Sequence, residues 1–147
     1  MKLRTAALAD CAGLAALDIQ CNPSAWSAQL FIQTMQQPEN HIWLAENSDQ
    51  LLGFIVWQTL LDESELHLIA TNPNHRRQGV ATQLLNQFFQ VASTQNINRI
   101  VLEVRLSNIT AHTFYRRHGF ENCGQRKHYY ATANGSYEDA VLMEKIC

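Results

Sequence analysis

The chain is 147 residues long, 46% hydrophobic and 16% charged, which suits one compact domain with room for a real core. Its formal net charge of −2 gives no overall attraction to nucleic acid or to an anionic membrane, so any anion site must be local. The cysteines Cys11, Cys21, Cys123 and Cys147 are scattered, with no CxxC or Cys/His ligand spacing, and the sequence offers no metal site.

In chain order, "KLRTA" predicts a first strand. "DCAGLAALDIQC" places Leu14 and Leu17 at helical spacing, with Asp10 as its N-cap. "SAWSAQLFIQTM" predicts a second helix with Trp26, Leu30 and Phe31 inward, and Pro23 separates the two. "HIWLAE" and "LLGFIVWQTLL" read as strands joined by a turn at "NSDQ", and "ELHLIAT" as a further short strand. "GVATQLLNQFFQVA" is a helix that buries Val80, Leu84, Leu85 and Phe88. "RIVLEVR" alternates strictly: Ile100, Leu102 and Val104 share one face, and Arg99, Val101, Glu103 and Arg105 the other. "NITAHTFYRRH" is a helix stopped by Gly119 at the C′ position. "FENCGQRKHYY" and "SYEDAVLMEKI" supply two last strands around the turn-forming Asn134-Gly135.

The order β-α-α-β-β-β-α-β-α-β-β predicts an α/β fold with a mixed sheet of about seven strands covered by about four helices. The middle strand–helix–strand unit should be a right-handed parallel crossover. No repeat, linker or low-complexity tract interrupts residues 1–147, so no domain boundary is expected. The start carries Asp10 within its apolar stretch and is too weakly hydrophobic for a signal peptide. No run approaches a membrane span. A cytoplasmic protein with reduced thiols is expected, and the sequons at Asn108 and Asn134 are then chance matches.

Two stretches stand out. In "NPNHRRQGVATQLL", residues 72–85, His75, Arg76 and Arg77 precede a lone Gly79 where a helix begins. The first N–H groups of a helix lack internal partners and carry partial positive charge. Gly79 and the small Ala81 let a ligand approach the backbone, which makes a phosphate cradle. A solvated basic turn is the plainer alternative. The stretch lacks the GK[ST] ending of a Walker loop and the three glycines of the dinucleotide fingerprint.

The second stretch is "LEVRLSNITAHTFYRRHGF", residues 102–120. Asn108 and Tyr115 lie about two helical turns apart, near one face, with Asn108 placed to cap the helix. Glu103 precedes them near the end of its strand. A carboxylate that accepts a proton and a phenol that returns one form an acid/base pair. A core aromatic and a solvent-facing strand glutamate are the alternatives.

Together the two stretches resemble the GNAT superfamily of acyl-CoA-dependent N-acetyltransferases. Arg76-Arg77-Gln78-Gly79-Val80-Ala81 is similar to its pyrophosphate-binding loop. Asn108, Ala111, Tyr115 and Gly119-Phe120 are similar to its second sequence block. The element order matches along the whole chain. "LEVRLSN", "AHTFYRRHGF" and "RKHYYATANGSYEDAVLM" resemble the branch that acetylates the N-terminal alanine of a small-subunit ribosomal protein, with departures at Ala25 and Ala131, where that branch has proline.

The resemblance implies a GNAT-type domain using acetyl-CoA and no metal, acting on a protein N-terminus. It implies that backbone groups of Ile69, Ala70 and Thr71 bind the pantetheine arm. The N–H groups of Arg77, Gln78, Gly79, Val80, Ala81 and Thr82 would bind the pyrophosphate. Asn108 would bond the arm or a water beside it. Glu103 would deprotonate the amine, directly or through water, and Tyr115 would protonate the departing thiolate, with Cys123 not a nucleophile. Two rivals remain. One is acetylation of a small cationic amine, a polyamine or an aminoglycoside, for which Asp62, Glu63 and Glu65 near the presumed cleft could serve; Tyr129 and Tyr130 suit a peptide groove better. The other is a non-catalytic CoA-binding regulatory module, against which the presence of both Glu103 and Tyr115 counts.

Overall fold

The computed structural model describes residues 1–147. In chain order they form β1 (Lys2–Thr5), α1 (Cys11–Cys21), α2 (Ala28–Met35), β2 (Asn40–Asn47), β3 (Gln50–Leu60), β4 (Glu63–Thr71), α3 (Val80–Thr94), β5 (Arg99–Arg105), α4 (Ile109–Arg117), β6 (Glu121–Ala131) and β7 (Tyr137–Ile146). This is the order expected from the sequence. The strands make one sheet in the order β1-β2-β3-β4-β5-β7-β6. Every neighbouring pair is antiparallel except β4 and β5, which run parallel and are joined through α3.

The helices cover the sheet from both sides. On one face Leu14 and Leu17 of α1 and Phe31 of α2 pack on Ile42, Leu44, Phe54, Val56 and Ala70. On the other, Val80, Leu84, Leu85 and Phe88 of α3 pack on Ile55, Trp57, Leu66, Ile100, Leu102 and Val104, and α4 adds Tyr115. Each large side chain buried this way contributes about 1.5–3 kcal/mol relative to exposure. Central β3 is sandwiched between both layers, which is why Leu52 to Trp57 are buried without a break where an edge strand would alternate.

Two turns follow from backbone chemistry. Ser48 and Asp49 take φ of 42° and 70°, the doubly left-handed turn that closes a two-residue hairpin between β2 and β3. Gly119 takes φ 94°, and the Phe120 N–H donates to the Tyr115 carbonyl at 3.0 Å, the Schellman closure of α4.

Two local expectations are corrected in part. Asp10 stands at the N-cap of α1, as expected, but its side chain makes no capping bond there. Its carboxylate reaches back to the Ala7 N–H at 2.7 Å and takes both Nη groups of Arg4, whose guanidinium holds it below the usual carboxylate range. Leu30 does not face the core but is 39% exposed. Ser27 is the N-cap, accepting from the Leu30 N–H at 3.1 Å, so α2 begins only after Trp26, and its phase keeps Phe31 inward as expected while turning Leu30 out. Half-buried Trp26 lies in the preceding loop against the Phe31 ring, 5.3 Å between centroids.

That loop is tied down by Asp18, a fully buried carboxylate on α1. It accepts from Asn22 Nδ2 and, at 2.8 Å, from the Trp26 N–H. Gly53 on β3 is a second device. A Cβ there would stand 2.5 Å from the Ala70 carbonyl oxygen and 2.9 Å from Val80 Cγ1. Only a bare backbone lets the end of β4 and the start of α3 both lie this close to β3.

Candidate active site

The parallel ladder between β4 and β5 has three rungs, Glu63↔Arg99, Ser64↔Ile100 and Glu65↔Val101. Both strands continue past it. β4 follows β3 as far as Thr71↔Gly53, and β5 follows β7 as far as Arg105↔Ala140. The sheet therefore splits into two halves that diverge, and a gap opens between the carboxyl ends of β4 and β5. Asn72 donates its N–H to the Leu52 carbonyl at 2.7 Å. By the two-residue alternation of an antiparallel ladder, Ala70 also turns its backbone groups to β3, while Ile69 and Thr71 turn theirs into the gap. The Thr71 carbonyl already accepts from Cys21 Sγ at 3.4 Å. Of the three residues named for the pantetheine arm, Ala70 thus has its backbone groups committed elsewhere.

At the mouth of the gap the chain passes through Arg77 at φ 62° and Gly79 at φ 80°, then enters α3. Gly79 is the N-cap and supplies no side-chain acceptor. The N–H groups of Gly79, Val80, Ala81 and Thr82 meet no acceptor within the chain. A Cβ on Gly79 would have nothing within 4 Å, so the space above these donors is open. Four converging donors at the positive end of a helix, flanked by the exposed Arg76 and Arg77, form an anion cradle.

Across the gap, Asn108 caps α4, its side-chain oxygen accepting from the Ala111 N–H at 3.2 Å. Its amide nitrogen remains available. Tyr115 is only 7% exposed, and its ring packs edge-on against Phe114 and Phe120 at 5.4 and 5.6 Å. Its ring belongs to the core. Burial also drives its phenol far above the ordinary tyrosine range, with Tyr130 pushing the same way, so it stays protonated at any working pH. His112, one turn earlier and buried, donates from Nε2 to the Arg105 carbonyl at 3.0 Å and pins the end of β5 to α4.

Glu103 stands on the opposite sheet face from Leu102 and Val104, as the alternation required. It does not simply face water. Its Oε1 is 2.9 Å from Nε of Arg126 on β6, and its side chain is 18% exposed. Arg105 pairs with Glu138 at 3.2 Å, donates to the Ala131 carbonyl at 3.0 Å and lies over the Tyr130 ring at 4.4 Å. These contacts tie the end of the β6–β7 hairpin to the carboxyl end of β5. Burial raises the Tyr130 phenol, and the nearby Glu103 carboxylate raises it further. Tyr130 thus stands within electrostatic reach of both Glu103 and Tyr115.

Sequence reasoning missed Arg105, Arg126 and His112, whose partners come from other elements. It placed the acidic residues at 62–65 wrongly. Asp62 accepts from Asn98 Nδ2 at 2.9 Å and Glu63 pairs with Arg99 at 3.4 Å, both at the closed end where the ladder is intact. Glu65 sits on the last closed rung.

The profile of the Acetyltransferase (GNAT) family matches residues 12–120. Over 118 residues, 80% of this chain and 78% of the relative, the sequence is 33% identical to the ribosomal protein bS18-alanine N-acetyltransferase of Salmonella typhimurium. It is 39% identical to the protein of that name from Haemophilus ducreyi over 95 residues, 65% of this chain and 66% of the relative. The crystal structure of the ribosomal-protein-S18-alanine N-acetyltransferase from Escherichia coli superposes with a TM-score of 0.91 at 26% identity, covering 99% of this chain and 92% of that one. The split sheet, the uncapped helix start and the profile match agree: the chain belongs to the GNAT acetyltransferase family.

Proposed function

We propose that this chain moves the acetyl group of acetyl-CoA onto the N-terminal α-amine of a protein, the N-terminal alanine of ribosomal protein bS18. The observation that carries the choice of acceptor is the charge balance at the gap. Glu103 is matched by Arg126 and Glu138 by Arg105, so no surplus of carboxylates waits there for a polycation. The rim instead carries exposed Leu106, Ile109 and Tyr129, apolar and aromatic surface that suits a polypeptide. The names of the relatives support the same acceptor.

The residues fit acetyl-CoA. The free N–H groups of Gly79 to Thr82, with Arg77 and Gln78, would hold its pyrophosphate. Ile69 and the Thr71 N–H would hold the pantetheine arm along the unpaired edge of β4, with the Asn108 amide nitrogen opposite. When bound, acetyl-CoA supplies an activated acetyl carbon and a thiolate leaving group. A protein N-terminus has a pKa near 7.7–8.0 and is mostly an ammonium at neutral pH, which cannot attack. Glu103 takes that proton at its free carboxylate oxygen, and Tyr115 delivers its phenolic proton to the departing sulfur.

An alanine-starting peptide should be converted to its N-acetyl form, seen by mass spectrometry, and the already acetylated peptide should not react. Faster turnover of spermidine or an aminoglycoside than of any peptide would overturn the reading. Gly79→Ala and Gly79→Val share the strain of a positive φ, about 1–2 kcal/mol, but only valine puts bulk over the open donors. Calorimetry should therefore find acetyl-CoA affinity falling further in Gly79→Val, by at least about tenfold, since charge-assisted hydrogen bonds to the pyrophosphate are lost. Equal affinities in the two variants would remove the cradle from the account.

A further inference from the structure

The acceptor side of the gap contains a pairing the chemistry above leaves unused. Across the sheet, Arg105, Ala140 and Arg126 share one row, and Glu103, Leu142 and Gly124 a parallel row. Arg126 therefore reaches diagonally across β7 to Glu103. The path is open because Ala140 is small and fully buried beneath it, and because Gly124, level with Glu103, has no side chain. The guanidinium forms an ion pair with Glu103, Nε standing 2.9 Å from Oε1, and its Cζ lies 5.4 Å from the Tyr129 ring centroid. Its two Nη groups donate to nothing in the chain, and Glu103 Oε2 is equally unclaimed.

We infer that Arg126 is a specificity-determining residue that reads the first carbonyl of the substrate, so that it and Glu103 together recognise an ammonium followed by a carbonyl. The inference rests on the reading that Glu103 receives the substrate amine. In an N-terminal residue the nitrogen and the carbonyl oxygen are separated by two carbons and can lie on one side of the residue. Glu103 Oε2 then accepts from the ammonium while an Nη group of the adjacent guanidinium donates to the carbonyl. A forked, planar cation can keep one N–H on a carboxylate and offer others to a neighbour, which a lysine cannot. A polyamine has no such carbonyl and would instead bring further positive charge against the uncommitted Nη groups. The half-exposed position of Arg126 makes its ion pair a minor contributor to folding, so the residue can be changed without loss of the sheet.

The test compares kcat/KM for an alanine-starting peptide with that for the same peptide whose first peptide bond is an (E)-alkene, in wild type, Arg126→Ala and Arg126→Lys. Thermal melting checks the fold of each. A hydrogen bond to a charged donor sets the expected size of the effect at roughly 10–100-fold. Arg126→Ala should lose that factor on the peptide and less than about twofold on the alkene, and Arg126→Lys should fall between. Equal losses on both substrates would mean that Arg126 acts on Glu103 alone, and an unchanged peptide rate would mean that it reads nothing. Either result overturns the inference and leaves the proposed function standing, provided the wild type acetylates the peptide and Glu103→Gln is slowed by about 10²–10⁴-fold. Failure of the wild type on the peptide overturns both.

Discussion

Glu103→Gln should lower kcat/KM for an alanine-starting peptide by about 10²–10⁴-fold at pH 7, the usual contribution of a positioned general base. The loss should shrink as pH rises. With an α-amine pKa near 7.8, the free amine grows about sevenfold between pH 7 and pH 9, and the variant should recover by that factor because it depends on amine that has already lost its proton. Acetyl-CoA affinity should hold, since the cradle at Gly79 to Thr82 lies on the other half of the split sheet. A wild-type rate in this variant would return Glu103 to a structural role, as the partner that orients Arg126.

Tyr115→Phe should cost a similar factor, and its deficit should stay flat with pH. The sign follows from burial. Desolvation disfavours the phenolate and raises the pKa of Tyr115, so the wild-type acid does not titrate away between pH 7 and pH 9. Its absence is then felt equally at both ends of that range. The ring is kept, so the packing against Phe114 and Phe120 persists and the melting temperature should barely change. A deficit that vanished at high pH would point to Tyr115 acting on the amine and not on the departing thiolate. Measured together, the two profiles separate the halves of the reaction: one slope rises and the other does not.

Much of this site can be read in the residues themselves because it is built from local rules. The alternation over Arg99–Arg105 fixes the face of Glu103 whatever the neighbours do. Gly79 ahead of an amphipathic run marks a helix start that no side chain caps. Whatever depends on where a pairing ends is hidden. How far the β4–β5 ladder runs before it stops after Glu65↔Val101 is not stated by anything in "ESELHLIAT", so the sequence alone sets the acidic residues at its start near the cleft when they lie at the closed end. Arg126 reaches Glu103 only through the register of β6 on β7, two strands away in the sheet. The close approach that requires Gly53 is equally non-local, since it arises from β4 and α3. In α2 the pattern misleads by a smaller margin: the helix is only eight residues long and begins after the Ser27 cap, so Phe31 points inward as expected while Leu30 turns to solvent.

The irregular hairpin has a consequence beyond the site it borders. β6 is the outermost strand, 11 residues long and exposed from Glu121 to Tyr129, and a bare edge of that length invites another chain to add a strand. Its pairing with β7 slips between Asn122 and Gly124 and again between Arg126 and Tyr130, where His128 takes φ 54°. Each slip bends the strand and breaks the even row of free N–H and C=O groups, so a foreign strand meets only short stretches in register. The distortion beside Tyr129 and Tyr130 thus guards the molecule against sheet-to-sheet aggregation. Straightening β6 to tidy its hydrogen bonding would tend to make this protein less soluble, whatever it did to the chemistry.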